Sequence, residues 1–263
     1  MITVDGLSKY FAVSERKSVL ASVLRFGATT RKVVAVNGVS FTANDGEVTG
    51  LLGPNGAGKT TTLRMLSTLL TPDAGRALID GADLATQKGA VRRSLGVLGD
   101  AKGLYWRLSA RENIAYFGRL HGLSASEAAA RADTLIQELG LTELADRPTQ
   151  GFSQGERMKV AIARALIHNP QTVLLDEPTN GLDIMSTRSM RELIRGLRAQ
   201  GKCVLFSSHI MQEVAALCDR IVIIAKGQVV FQGTPAEVLQ STGLASLEDA
   251  FVKLIGSDEG LFA

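Results

Sequence analysis

The stretch GLLGPNGAGKTTT, residues 50–62, places glycines around one lysine and follows that lysine with three threonines. Residues 53–60 fit the pattern G-x-x-x-x-G-K-[ST], in which the glycines let successive backbone N–H groups point at phosphate oxygens. Lys59 is then positioned to reach the β- and γ-phosphates, and the Thr60 hydroxyl to bind Mg²⁺. The pattern predicts a loop that binds a nucleoside triphosphate. Its predicted contact residues are Gly53, Pro54, Asn55, Gly56, Ala57, Gly58, Lys59, Thr60 and Thr61.

The apolar run TVLLDE, residues 172–177, ends in two acidic residues. A buried strand would carry Asp176 to its carboxyl end, where the carboxylate can hold Mg²⁺ through water. Glu177 comes next and is placed to orient or deprotonate a water molecule aimed at the γ-phosphate. The alternative is a pair of acids that ends a strand in solvent, and the glycine loop upstream favours the catalytic interpretation.

Strand and helix patterns alternate around these motifs. The segments ITVDGL and VVAVNGVSFTANDGEVTGLL predict strands, and GKTTTLRMLSTLL then has apolar residues at helical spacing. This context disfavours a glycine-rich turn with an incidental lysine. Helical patterns prevail from residue 83 to residue 155, and RIVIIAKGQVVFQG predicts a hairpin that turns at Lys226 and Gly227. The alternation predicts an α/β fold with a mainly parallel, covered sheet and an inserted helical subdomain.

The composition is that of an ordinary globular protein, with 45% hydrophobic and 21% charged residues. The net charge, 29 − 26 = +3, is too small to indicate nucleic-acid binding. Cys203 and Cys218 lie in apolar surroundings, which favours reduced thiols over a disulfide. No apolar stretch reaches the roughly 18 residues that span a bilayer, and no signal-peptide pattern is present. We expect a soluble, intracellular protein, which can still work at a membrane surface.

Three further motifs follow the glycine loop. They are FSQGERMKVAIARAL at residues 152–166, LLDEPTNGLD with Asp183, and SSHIMQEV with His209. They resemble the signature, the aspartate loop and the switch-histidine segment of ABC-transporter ATP-binding domains. Their order and spacing cover residues 2 to about 240. The stretch GLYWRLSARENIAYFGRLHGL is similar to the NatA-type sodium-export ATPases and to related ABC-2-type exporters of drugs and polymers.

The resemblance implies a fold and a set of partners. The fold is α/β, a P-loop NTPase core with a mainly parallel sheet, an antiparallel β subdomain and an inserted α-helical subdomain at about 84–156. One ATP-binding domain would cover residues 1–240, followed by a short tail at 241–263. The chain would bind ATP and Mg²⁺, and would pair head to tail with a second copy or a paralogue. It would lie at the cytoplasmic face of the cell membrane, attached to a separate permease subunit. No nucleic acid is expected.

The resemblance also implies roles for individual residues. Glu177 would be the base and His209 the sensor of the γ-phosphate, and Lys59 would neutralise charge during transfer. Ser153 and Gly155 would open a helix toward ATP held by the opposite subunit. Ser153 also fits an ordinary capping box with the residue three positions on, and both interpretations can hold.

Other assignments keep an alternative open. Phe11 matches the aromatic residue that stacks on adenine, while Tyr10 would point to the other face of the strand. His209 could equally be a satisfied surface histidine, but its place after a buried strand favours the phosphate contact. His121 and His168 have no such context and are expected to be structural.

The sequence departs from the family pattern at two positions. Asp100 stands where most relatives have glutamine; a carboxylate there could approach Mg²⁺ but cannot donate a hydrogen bond at neutral pH. Gln154 stands in the signature where glycine is commoner, so the signature contacts can differ.

A basic segment, residues 12–33, has five basic residues and one acid. Apolar spacing predicts a short helix from Ser18 to Gly27, either packed on neighbouring strands or facing the membrane partner. For the whole chain, the resemblance favours an exporter ATPase whose cargo is a sodium ion, drug or polymer. The alternatives are a soluble ABC ATPase of translation or DNA repair and a P-loop kinase or GTPase.

Overall fold

The computed structural model describes residues 1–14, 30–99 and 103–256. A six-stranded sheet has the order β10-β9-β3-β8-β7-β6. Strands β9, β3, β8, β7 and β6 are parallel, and β10 joins the edge antiparallel to β9. The six strands are β3 (Val48–Leu52), β6 (Leu95–Leu98), β7 (Thr172–Asp176), β8 (Cys203–Ser208), β9 (Arg220–Ala225) and β10 (Gln228–Gly233).

A second, four-stranded sheet is antiparallel throughout, with the order β2-β1-β4-β5. Its strands are β1 (Ile2–Ser14), β2 (Thr30–Ala43), β4 (Ala74–Ile79) and β5 (Ala82–Asp83). The helices are α1 (Lys59–Leu66), α2 (Lys88–Ser94), α3 (Ala110–Leu120), α4 (Ala125–Glu138), α5 (Gln154–Leu166), α6 (Ile184–Ala199), α7 (Met211–Leu217), α8 (Pro235–Thr242) and α9 (Leu247–Ile255). The predicted combination of a mainly parallel sheet, an antiparallel sheet and a helical insertion is confirmed.

Strand β8 shows how the parallel sheet separates two hydrophobic cores. Val204 and Phe206 pack into the core that contains α3 to α6, whereas Cys203 and Leu205 pack into the core shared with α1 and the antiparallel sheet. Side chains alternate between the faces of a strand, so a strand covered on both sides must be apolar at every position. Strand β8 is therefore buried on both faces of the sheet up to its carboxyl end.

Helices α3 and α4 lie within the helical subdomain predicted at about 84–156, and α5 begins at its end; each of the three begins with a capping box. Ser109, Ser124 and Ser153 are the N-cap residues, and each serine accepts a hydrogen bond from the N–H of the glutamate three residues later. That glutamate in turn accepts from the N–H of the serine. A capping box fixes where a helix begins, because it satisfies N–H groups that have no partner inside the helix.

One predicted helix ends earlier in the structure, and the two ends of the predicted basic segment are strand. Helix α1 ends at Leu66, although the helical pattern continues to residue 70, because Thr68 adopts a left-handed conformation with φ 61°. In the basic segment 12–33, both ends are strand: β1 extends to Ser14 and pairs it with Thr30 of β2. The helix predicted between these ends lies outside the described residues.

The hairpin predicted at Lys226 and Gly227 is confirmed, since both residues have positive φ and connect β9 to β10. Cys203 and Cys218 are free thiols, and burial raises the pKa of Cys203 to about 11. Within the ranges that the structure describes, no helix has both the length and the apolar character needed to cross a bilayer.

Candidate functional site

The glycine loop connects the end of β3 to the start of α1, at the carboxyl end of the parallel sheet. A Cβ at Gly53 would clash with the carbonyl oxygen of Ile224, and one at Gly58 would clash with that of Ala35. Gly58 also has φ 106°, which L side chains rarely adopt. No side chain caps α1, so its first N–H groups remain available to an anion.

Lys59 is the first residue of α1 and is 5% exposed. Its Nζ reaches back over the loop and donates to the carbonyl oxygens of Gly53 at 2.7 Å and Pro54 at 3.3 Å. The same nitrogen lies 3.6 Å from Oε1 of Glu177. A buried ammonium group is thus held where the loop would receive phosphate oxygens.

Thr60 and Asp176 meet across the base of the loop. The Thr60 hydroxyl donates to Asp176 Oδ1 at 3.2 Å, and the Ser207 hydroxyl donates to the same oxygen at 2.6 Å. Asp176 is the last residue of β7, and its register partner on the parallel strand β8 is Ser207. The sheet register therefore fixes the carboxylate next to the glycine loop.

Glu177 lies just beyond β7 in a left-handed conformation with φ 47°. Its N–H donates to Ser207 Oγ at 2.9 Å. His209 follows β8, and its Nδ1 lies 2.9 Å from Oε2 of Glu177. The carboxylate therefore stands between an imidazole and the Lys59 ammonium.

Glu177 and His209 line one cleft of about 480 Å³, together with residues 54–61, Ala35 and Asn180. Clefts of a few hundred Å³ with convergent polar groups are the usual form of small-molecule sites. Hydroxyl, carboxylate, ammonium and imidazole groups converge here at a helix N-terminus. The cleft can therefore bind a phosphorylated ligand and activate a water molecule beside it.

Some predicted site residues do not line this cleft or are not described; they are Phe11, Gly53, Ser153, Gly155, Asp176, Asp183 and Asp100. Phe11 is on β1 opposite Val33 and is 40% exposed; its contact with adenine stays a prediction. Ser153 caps α5, and Asp183 caps α6. Asp100 is not among the described residues.

Asp183 accepts hydrogen bonds from Ser186, and the backbone N–H of Ser186 contributes most to lowering the pKa of this carboxyl. Gly155, in the signature, packs closely against the same serine, since a Cβ at Gly155 would clash with the Ser186 hydroxyl. The predicted signature and aspartate loop are therefore in contact within one chain.

Sequence reasoning missed Ser207 and Asn180. A serine at the carboxyl end of the buried run KCVLFSS was a usable signal for the first, because parallel strands end at the same edge of a sheet. Asn180 belongs to the predicted LLDEPTNGLD motif, but its place in the cleft depends on how that loop folds back.

The family model described as ABC transporter matches residues 36–180, which include the glycine loop, the signature helix and the acidic pair that ends β7. The chain belongs to the ABC transporter family.

Two relatives show how far the similarity to other ABC proteins extends. The chain is 47% identical over 229 residues to the ABC transporter ATP-binding protein NatA of Bacillus subtilis (strain 168), covering 87% of this chain and 93% of NatA. It is 40% identical over 227 residues to the doxorubicin resistance ATP-binding protein DrrA of Mycobacterium tuberculosis (strain ATCC 25618 / H37Rv), covering 86% of this chain and 67% of DrrA. The predictions of an ABC transporter ATP-binding subunit and of an ATPase are confirmed.

Solved structures agree on the fold. The structure of an ATP-binding subunit of an ABC transporter has a TM-score of 0.81 and 29% identity, covering 97% of this chain and 100% of that one. An ATP-binding cassette solved as a dimer with ADP and Pi has a TM-score of 0.76 and 24% identity, covering 89% of this chain and 98% of that one. The predicted ABC ATPase fold is confirmed.

Proposed function

We propose that this ABC chain is the ATP-hydrolysing subunit of an exporter, and that two copies pair head to tail on two Mg·ATP. The observation that supports hydrolysis most directly is the position of Glu177. Its carboxylate lies between Lys59 at 3.6 Å and His209 at 2.9 Å, at the mouth of the glycine-loop cleft.

Thr60 and Asp176 are the residues that would hold magnesium. Mg²⁺ prefers hard oxygen ligands and uses few of them from the protein, and a hydroxyl and a carboxylate oxygen lie 3.2 Å apart here. The residues present therefore fit the ion. When bound, it neutralises charge on the β- and γ-phosphates. Asp100, the third predicted ligand, belongs to this proposal without structural support.

Glu177, Lys59 and His209 would divide the chemical work. ATP would replace the carbonyl oxygens that Lys59 contacts here, so that Nζ binds the β- and γ-phosphates instead. Glu177 accepts the proton of the attacking water as the bond between the γ-phosphorus and the ADP oxygen breaks. His209 hydrogen-bonds to the Glu177 carboxylate and would also contact the γ-phosphate.

The signature supports the head-to-tail arrangement. Ser153 and Gly155 begin α5 and do not line the glycine-loop cleft of their own chain. The Ser153 hydroxyl accepts the N–H of Glu156, so its own proton stays available to a phosphate oxygen. A helix N-terminus of this kind favours an anion, which we assign to the ATP of a second chain.

The membrane partner and the cargo are further parts of the proposal. A separate permease subunit would hold the chain at the cytoplasmic face of the cell membrane. Relatives named for doxorubicin resistance and for Nod factor export support an exporter. A sodium ion, a drug and a polymer all remain candidate cargoes, because the translocation path would lie in the permease.

Mixed dimers test the pairing. Lys59→Ala disables the glycine loop and Ser153→Arg disables the signature, so each variant alone should be inactive. Mixing the two chains should restore activity, because one site of the mixed dimer keeps Lys59 of one chain and Ser153 of the other. Ser153→Arg also removes an N-cap, which costs roughly 0.5–2 kcal/mol, so folding is checked by circular dichroism. Isolated mixed dimers without activity would contradict the head-to-tail pair.

A further inference from the structure

Gln154 is the first residue of α5, and its side-chain Nε2 donates to the main-chain oxygen of Asn180 at 2.9 Å. Asn180 lines the nucleotide cleft and donates its own N–H to the carbonyl oxygen of Glu177 at 3.1 Å. Two successive hydrogen bonds therefore lead from the start of the signature helix to the predicted base.

Packing contacts around Gln154 also join the start of α5 to the residues that follow Glu177. Its amide lies over Gly181, where φ is +72° and a Cβ would come within 2.5 Å of Nε2. The next residue, Gly155, lies against Ser186, which binds Asp183 through its N–H and its hydroxyl, both at 2.8 Å. The start of α5 thus contacts the middle of the loop that follows Glu177 and also Ser186, in the first turn of α6.

Other contacts hold this loop to the core. The N–H of Glu177 donates to Ser207 on β8 at 2.9 Å, and the Thr179 hydroxyl donates to the buried Glu213 on α7 at 2.5 Å. The bond from Gln154 connects the same loop to the start of α5. It therefore couples the position of the loop to the start of the signature helix.

We propose that Gln154 is a positioning residue, which holds Asn180 and through it Glu177 in place for hydrolysis within its own chain. This rests on the proposed function, because it takes Glu177 as the base and the signature as the group that meets a partner's ATP. Phosphate bound at the start of α5 would act on Gln154 as well as on Ser153. The bond to Asn180 would pass that constraint to the loop beside the chain's own ATP.

A competing role follows from the exposure of Gln154. A glutamine at the start of the signature helix could itself contact the ATP of the second chain, and the bond to Asn180 would then be incidental. The two roles differ in which site suffers when the amide is removed. Positioning impairs the site of the same chain, and direct contact impairs the site of the other chain.

The first experiment replaces Gln154 by methionine, which keeps the length of the side chain and removes its donor. The kcat for ATP should fall about three- to tenfold, the effect of losing one exposed hydrogen bond. The Kd for a fluorescent ATP analogue should not change, because Lys59, Thr60 and Asp176 are untouched. The matched control is Gln171→Met, which removes a similar 2.9 Å bond from a glutamine amide to Gly201 at the opposite end of β7. An unchanged kcat in Gln154→Met would overturn the proposal.

The second experiment uses doubly tagged dimers of one native chain and one Lys59→Ala chain, which retain one working glycine loop. Adding Gln154→Met to the native chain should lower the activity, and adding it to the Lys59→Ala chain should not. The reverse result would overturn positioning in favour of direct contact with the partner's ATP. The hydrogen bond lies within one chain, so the first experiment decides the inference even where the mixed-dimer test contradicts the head-to-tail pair.

Discussion

Nδ1 of His209 lies 2.9 Å from Oε2 of Glu177, while Nζ of Lys59 lies 3.6 Å from the other oxygen of the same carboxylate. One acidic group therefore lies between two groups to which we have assigned separate roles once ATP is bound. Entry of the γ-phosphate would draw Lys59 away and leave Glu177 with His209. The carboxylate would then become free to accept a proton on the side that faces the nucleotide.

Glu177→Gln should keep ATP affinity and lose about 10²–10⁴ in turnover, the usual contribution of a general base. The variant should also accumulate as an ATP-bound dimer, because a negative charge beside the γ-phosphate has been removed. Turnover is measured by phosphate release and dimers by gel filtration with and without ATP. Glu192→Gln, at an exposed pair with Arg188 on α6, is the control. Turnover retained by the purified variant would assign the base to another residue.

Asp176→Asn should raise the Mg²⁺ concentration needed for half-maximal nucleotide binding by about 10–100-fold, typical for residues that hold a metal indirectly. The amide keeps an oxygen near the Thr60 hydroxyl but has lost the charge. Binding of a fluorescent ATP analogue is titrated with Mg²⁺, so hydrolysis need not occur. Asp146→Asn, at an exposed pair with Arg111, should behave as the native chain. An unshifted Mg²⁺ titration in Asp176→Asn would contradict the assignment.

His168 should make stability depend on pH. Burial is the main cause that lowers its pKa from 6.5 to about 4, and the charge of the stacked His121 adds to it, while the hydrogen bond to Leu95 opposes the shift. The folded chain then binds fewer protons than the unfolded chain between these pH values. The stability contributed by neutral His168 is complete above pH 6.5 and is lost as the pH falls toward 4.

Urea unfolding of the native chain and of His168→Gln measures this effect. The difference in unfolding midpoint between them should shrink as the pH is lowered from 7.5 to 4.5, because only the native chain loses the contribution of a neutral imidazole. The charge of Lys202 also lowers the pKa of His168. Parallel pH profiles for the two chains would show that His168 is not the group responsible.

The basic segment 12–33 supports a prediction about assembly. Neutralising Arg16, Lys17, Arg25, Arg31 and Lys32 together should leave basal ATP hydrolysis intact and weaken transport or assembly with the permease. Each basic residue near an anionic membrane surface contributes about 1 kcal/mol. In the described part, Lys32 on β2 lies over the ring of Tyr10 at 3.7 Å, so Lys32→Gln alone serves as a control for local strand packing. Unchanged assembly and transport in the fivefold variant would favour a helix packed on the strands.

A contact in the site could be predicted from the sequence when its partners lie close together along the chain. Lys59 and Thr60 could be predicted because their neighbours in the chain form the loop they act on. Ser207 could not be assigned to Asp176, because their contact requires β8 to lie next to β7 in one register. No single segment of the sequence determines the order of the strands in the sheet.

The fold shows the same limit. The parallel sheet could be predicted from fully apolar runs such as TVLLD, whereas the end of α1 could not, because apolar spacing continues past Leu66. At the end of the helix, where Thr68 is left-handed, Thr68 donates its N–H to the Met65 carbonyl at 3.0 Å, and Leu69 and Leu70 donate theirs to the Arg64 carbonyl, also at 3.0 Å.

The backbone of Glu177, at φ 47°, has a consequence for evolution and for engineering of the chain. A left-handed conformation costs a residue with a side chain about 1–2 kcal/mol, and glycine would avoid most of that cost. At the position that we propose for the base, the most stable residue would therefore be glycine, which cannot act as a base. Selection for thermal stability alone would favour glycine at position 177. It would therefore enrich variants that lack the proposed base and hydrolyse ATP poorly. A library of variants screened for thermal stability should therefore also be screened for ATP turnover.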